Sequence, residues 1–237
     1  MKTKMFVITL ALLLALASSL YAYQLSPLTA TYATSGVDAT KSYTIVNNTD
    51  APIAIQIRVE KRIINEKGEE VNEEAPNYFS IQPAKMIIQP QSTQIVRAQY
   101  RGPRTVTKEM PFRIIAEQIP YNVGKQNADS AQMINFLFVY STSAYVAPTR
   151  EIIDVKANTE VIEDKAIVTI SNEGTVHQIL ANLEIEVSCP LGSYKLTEEQ
   201  LGKIKGLNLI TDSSVKIEFN LPENLKGTDF LYTTITY

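Results

Sequence analysis

Side chains that do covalent chemistry are scarce in this 237-residue chain, which has one histidine, one cysteine and no tryptophan. His177 could serve as a base, but it follows Gly174 in a turn pattern, which suits a structural or surface role. Cys189 precedes Pro190 with no basic neighbour in sequence to activate it, so it reads as a small buried hydrophobe. Ser141 and Ser143 lie in a strand with no Gly-x-Ser-x-Gly elbow around them. The pairs Glu69-Glu70 and Glu73-Glu74 fall in a charged loop, where solvation explains them. A single His and a single Cys exclude zinc sites of the His/Cys type, and no glycine-rich phosphate loop is present. These residues point to no enzyme, no metal and no cofactor.

What the chain does offer is apolar surface. Residues 133–148 read MINFLFVYSTSAYVAP. Successive strand side chains point to opposite sides, so Ile134, Phe136, Phe138 and Tyr140 share one face. Asn135, Leu137 and Val139 share the other, which leaves the early strand apolar on both sides. One reading is a central strand buried on both faces. The other is a strand that covers its own domain with one face and offers the second to a partner. The polar lead-in at 125–132, KQNADSAQ, suits the latter.

The elements around it are strands. Residues 23–32 are broken by Pro27, which suits an edge or a bulge. Ile53, Ile55, Ile57 and Val59 alternate with Ala54, Gln56, Arg58 and Glu60, the pattern of a half-buried strand. The cluster at 47–52 reads as a turn, although Asn47-Asn48-Thr49 also fits a glycosylation sequon. Residues 61–76, centred on Lys67-Gly68, read as a solvated hairpin loop. Leu183, Ile185 and Val187 alternate in the second half, as do Val215, Ile217 and Phe219. Residues 196–205 form a helical turn or a loop, and no segment keeps a long helical period. Many short strands between turn clusters predict an all-β chain of two immunoglobulin-like β-sandwich domains.

The chain's start sets its address. Lys2 and Lys4 precede an apolar run over 5–17, and a cleavage point falls after Ala22, the order of a secretory signal peptide. That run is too short to span a membrane comfortably, and no later run is long enough. The predicted organisation is a signal peptide at 1–22, a first domain at 23–148 and a second at 149–237. Loss of Lys2 and Lys4 takes the formal charge from −3 to −5, which argues against nucleic acid or anionic membrane as the main partner. An exported chain with one cysteine needs cores large enough to fold without a disulfide.

The order of these features resembles the bacterial periplasmic pilus-assembly chaperones of the chaperone–usher pathway. Four stretches carry the resemblance. The first is Phe79-x-Ile81-x-Pro83 followed by Ile88-x-Pro90-x-x-x-Gln94-x-Val96-Arg97. The second is Glu109-x-x-Phe112 leading to Ile119-Pro120. The third is the apolar strand ending in Tyr145-x-x-Pro148, and the fourth is Ser171-Asn172-x-Gly174-x-x-His177. Each is common in sandwich folds; their order along nearly the whole mature chain is what counts.

The resemblance implies a periplasmic protein whose last first-domain strand fills the groove of an incomplete pilus subunit, with main-chain pairing for affinity and alternate side chains for pockets. Such grooves leave an unpaired sheet edge prone to aggregation. Aligning Pro148 with the family's end-of-strand proline puts Ile134, Phe136, Phe138 and Tyr140 where donated side chains lie. The implied partners are pilus subunits and an outer-membrane usher, and empty family members can self-associate. Better-known members anchor the subunit's terminal carboxylate with an Arg and a Lys. The matching positions here are Thr29 and Ser143, neither basic, which resembles a divergent branch such as the archaic or alternative pathways. Arg113, a charge in an otherwise apolar strand, is the candidate replacement unless it lies on an exposed face. Arg97 and Glu109 match a pair expected to be a structural ion pair. The competing reading is an exported β-sandwich adhesion or structural module.

Overall fold

The computed structural model describes residues 23–121 and 137–237. The expected signal peptide, the loop at 122–132, Ile134 and Phe136 lie outside the described residues. The first half carries β1 (Gln24–Ser26), β2 (Thr29–Tyr32), β3 (Thr40–Asn47), β4 (Ile53–Lys61), β5 (Glu73–Glu74), β6 (Phe79–Gln82), β7 (Lys85–Ile88), β8 (Ser92–Tyr100), β9 (Met110–Ile119) and β10 (Val139–Val146). The second carries β11 (Val155–Ile162), β12 (Lys165–Asn172), β13 (Gln178–Ile179), β14 (Glu184–Cys189), β15 (Gly192–Lys195), a helical turn α1 (Glu198–Leu201), β16 (Asn208–Leu209), β17 (Ser214–Asn220) and β18 (Tyr232–Thr236).

The first domain is a sandwich of two sheets. One runs β1-β3-β8-β6; the other runs β2-β10-β9-β4-β5, with β7 also pairing β4. Strand alternation decides what lies between them. Ile53, Ile55, Ile57 and Val59 meet Tyr43, Ile45, Val96, Ala98, Phe112 and Ile114 in one core. The chain changes sheets between β1 and β2, at Pro27. Proline has no N–H to give a ladder, so the break falls where pairing to β3 ends and pairing to β10 begins. The buried phenol of Tyr32 donates to Tyr43 Oη at 3.0 Å, and Tyr23 Oη donates to the Ala116 carbonyl at 2.5 Å. Burial raises both phenols, so each remains a neutral donor.

The second domain packs β11-β12-β17 against β15-β14-β18. Its core is built from Val168, Ile170, Ile185, Val187, Val215 and Ile217, the alternating rows of the sequence. Residues 198–201 fold as a helical turn because Thr197 and Gln200 form a capping box, each side chain bonding the other's backbone N–H.

Two loop expectations resolve differently. Asn47 is fully buried, and its amide donates to the carbonyls of Ala51 and Ile88, so the sequon asparagine is a turn clamp. The 61–76 loop is not simply solvated. Ile64 is 7% exposed and belongs to the second domain's core. The Lys216 N–H donates to the Glu66 carbonyl at 2.8 Å, and Lys216 Nζ meets the Glu66 carboxylate at 2.7 Å. A Cβ on Gly68 would fall 3.1 Å from Ile204 Cδ1. The loop is a strap from the first domain onto the second.

Candidate functional site

β10 pairs β9 along its whole length, from Val139 opposite Glu117 to Val146 opposite Met110. On its other side β2 pairs only Ser143 to Val146. The residues Val139, Tyr140, Ser141 and Thr142 therefore keep one unpaired backbone edge among the described residues. The cause is the sheet switch, which takes β1 away to β3.

The two faces of β10 differ. Phe138, Tyr140, Ala144 and Val146 pack on the first domain's core, and Thr142 Oγ1 donates inward to the Ile114 carbonyl at 2.9 Å. Leu137 and Val139 face out at 47% and 55% exposure, followed by exposed Ser141, then Ser143 and buried Tyr145. This corrects the face assigned to two residues. Phe138 and Tyr140 point into their own domain, on the same face as the apolar row of neighbouring β9 (Phe112, Ile114, Ala116), and Tyr140 packs edge-on against Tyr23, ring centroids 4.8 Å apart. The outward row is the alternate one.

That row leads into a polar cluster between the domains. Thr29, Ser143, Arg113 and Glu60 stand opposite one another on four neighbouring strands. Arg113 is thus one strand from Ser143 and two from Thr29, and its Nη1 donates to Ser143 Oγ at 2.7 Å. Its Nε and Nη2 grip the two oxygens of Glu70 at 2.7 and 2.6 Å, a bidentate pair. Arg62, 4% exposed, donates to the same Glu70 at 3.1 Å and to Tyr145 Oη at 2.9 Å. Burial alone would raise the Glu70 carboxyl, but hydrogen bonds from Arg113 and Asn72 and the two guanidinium charges hold it down at about 2. The hydrogen bond to Glu70 raises Arg113 in turn.

Glu109 and Arg97 do not form an ion pair. Arg97 is exposed on the far sheet, opposite Ser42 and Gln82. Glu109, 6% exposed, contacts His177 Nδ1 at 2.8 Å and accepts the His177 backbone N–H at 3.2 Å. Each charge follows its strand to a different side of the sandwich, which spacing along the chain does not reveal. His177 also stacks on Tyr145, with ring centroids 4.1 Å apart and planes 11° apart, so it ties the second domain to the end of β10. Its turn is shaped upstream by Asn172, whose Oδ1 accepts the Gly174 N–H at 3.0 Å. Glycine is required at 174 because a Cβ there would fall 2.4 Å from the Ile152 carbonyl oxygen. Cys189 is a partly buried free thiol at the margin of the second core. No group of His, Cys, Asp or Glu able to hold a metal occurs among the described residues.

The chain belongs to the pili and flagellar-assembly chaperone family, whose PapD N-terminal domain profile matches residues 29–150. No curated protein matches it by sequence. Solved structures share the fold at low identity. The class 5 fimbriae chaperone CfaA is 14% identical with a TM-score of 0.59, over 91% of this chain and 99% of that one. A chaperone–tip adhesin complex of CFA/I fimbriae biogenesis gives 17% and 0.58, over 91% and 94%. The CsuC–CsuE chaperone–tip adhesion subunit pre-assembly complex, from the archaic chaperone–usher Csu pili of Acinetobacter baumannii, gives 13% and 0.53, over 83% and 90%. The family is one of pilus-assembly chaperones, which are not enzymes.

Proposed function

We propose that this chain is a periplasmic chaperone that folds and caps pilus subunits by lending them β10, then passes them to an outer-membrane usher. The observation that carries this reading is an apolar row, Leu137 and Val139, beside an unpaired strand edge. Exposed edges of this kind are normally blunted in soluble proteins, and an exposed apolar row marks an interaction site. A subunit strand laid against Val139 to Thr142 would complete the ladder and bury both side chains, worth about 1.5–3 kcal/mol each. The solved relatives bound to a tip adhesin or adhesion subunit support the same reading. Arg113, where the outward row enters the cleft, is the proposed anchor for the subunit's terminal carboxylate in place of basic residues at Thr29 and Ser143.

The test is co-purification of the full chain with its subunit from the cells that make both, beside Val139→Arg and Phe138→Arg. Val139→Arg should stay folded and lose the subunit, because a charge would be driven into an apolar groove. Phe138→Arg should instead perturb the chaperone's own fold. Retention of the subunit by folded Val139→Arg would overturn strand donation from this row.

A further inference from the structure

We infer that Glu70 is a built-in competitor: it occupies the Arg113–Arg62 pair until the carboxylate terminus of a bound polypeptide displaces it. The inference rests on the capping reading for the source of that terminus, and on the cluster's own chemistry for the rest.

Two guanidinium groups share one carboxylate here. Of the nearby acids, Glu109 is taken by His177, while Glu60, opposite Arg113 on β4, shares Arg58 with Glu117. Both guanidinium groups thus depend on one directly paired carboxylate in a partly buried setting, where losing it without a replacement anion would strand charge at a cost. A second feature points to a peptide rather than a simple anion. Asn208 Nδ2 donates to Tyr145 Oη at 2.7 Å, and its Oδ1 is buried with no partner among the described residues. In this orientation the atom left over is an acceptor, which calls for an N–H donor. Glu70 brings only acceptor oxygens, whereas a peptide terminus brings both a carboxylate and N–H donors.

Glu70 is also placed to leave. It sits on the strap rather than on a strand of the sheet, with its side chain one-quarter exposed. Arg113 is fixed in β9, opposite Ser143 on the outward row of β10. A strand running along that row from Val139 reaches Arg113 after four residues of β10, about 13 Å at the usual strand rise. Exchange of one carboxylate for another keeps the arginines paired throughout, so neither charge is stranded at any step. It also frees the strap at its Arg113 end, while Ile64 and Glu66 still hold the second domain.

The probes are N-acetylglycylglycine and its C-terminal amide, titrated into the full chain while the side-chain Nε–Hε NMR signals of Arg113 and Arg62 are followed. Glu70→Gln should bind the acid about tenfold more tightly than wild type, the gain expected if Glu70 holds the pair nine-tenths of the time. The amide should bind neither, and Arg113→Gln should lose the preference for acid. Glu70→Asp, which keeps a charge beside the arginines, guards against misfolding of the Gln variant and should give a smaller gain. In wild type, saturating acid should speed amide hydrogen exchange over residues 70–74, the part of the strap beyond Ile64 and Glu66. Equal acid affinity in wild type and the Glu70 variants, or equal binding of acid and amide, would overturn the inference, as would unchanged exchange over residues 70–74. Such a result beside subunit loss in Val139→Arg would leave the capping reading standing; a folded Val139→Arg that keeps its subunit would remove that reading instead.

Discussion

Val139 and Val146 open and close the same strand, yet one is 55% exposed and the other fully buried. Both pair with β9. Val139 lies on the outward row and Val146 on the core row, but Tyr145, outward like Val139, is also buried at 3%, and that contrast comes from what lies on the strand's other side. Toward Val146, β2 completes the ladder and the second domain covers Tyr145 through His177. Toward Val139 there is neither. Among the described residues, the strand is thus anchored at one end by both domains and left open at the other. If the strand is lent to a partner as proposed, it has to be held somewhere, and the half nearest the domain junction is the one both domains hold.

Equal charges placed at the two ends should break that comparison most sharply. Val146→Asp buries an unpaired carboxylate in the core and should cost about 4 kcal/mol or more, read as a shift in urea midpoint. Next comes the strap. Ile64→Ala should destabilise the second domain by about 2 kcal/mol, the low end for such truncations because the site is at the core's edge. Proteolysis or hydrogen exchange of β12 and β17 would report it, and protection lost only in the first domain would contradict the cross-domain packing. The carboxylate of Glu70, held at about 2, stays ionised well below the ordinary value of about 4.3. Its contribution is therefore complete above about 4.3 and lost as pH falls through about 2. The stability gap between wild type and Glu70→Gln should narrow across that window and be flat above it. The smallest effect belongs to the open end, where Val139→Asp should change stability by no more than about 0.5 kcal/mol while removing partner binding. A large loss of stability there would mean that the row is part of the core.

Much of this was legible in the residues. The strict alternation of Ile53 to Val59 and of Leu183 to Val187 is a period-2 signal that survives any tertiary arrangement. The face of β10 was harder to read, because Leu137, Phe138, Val139 and Tyr140 are all apolar and alternation carries no direction. A signal was nonetheless present: Ser141 and Ser143 mark the outward parity, and extending it back gives Val139 and Leu137. The role of Glu70 had no such trace. Its partner Arg113 is 43 residues away on another strand, and a run of acids and lysines reads as solvated wherever it occurs.

The order of hydrophobic and turn residues by itself determined two β-sandwiches and the apolar strand between Pro120 and Pro148, since local alternation dictates which side chains must be buried together. Only the tertiary structure decided which row of that strand faces out, that Glu109 meets His177 rather than Arg97, and that the 61–76 loop grips the second domain. Those outcomes depend on which sheets and loops meet in space, and pairing between distant strands leaves no mark on the local sequence of either.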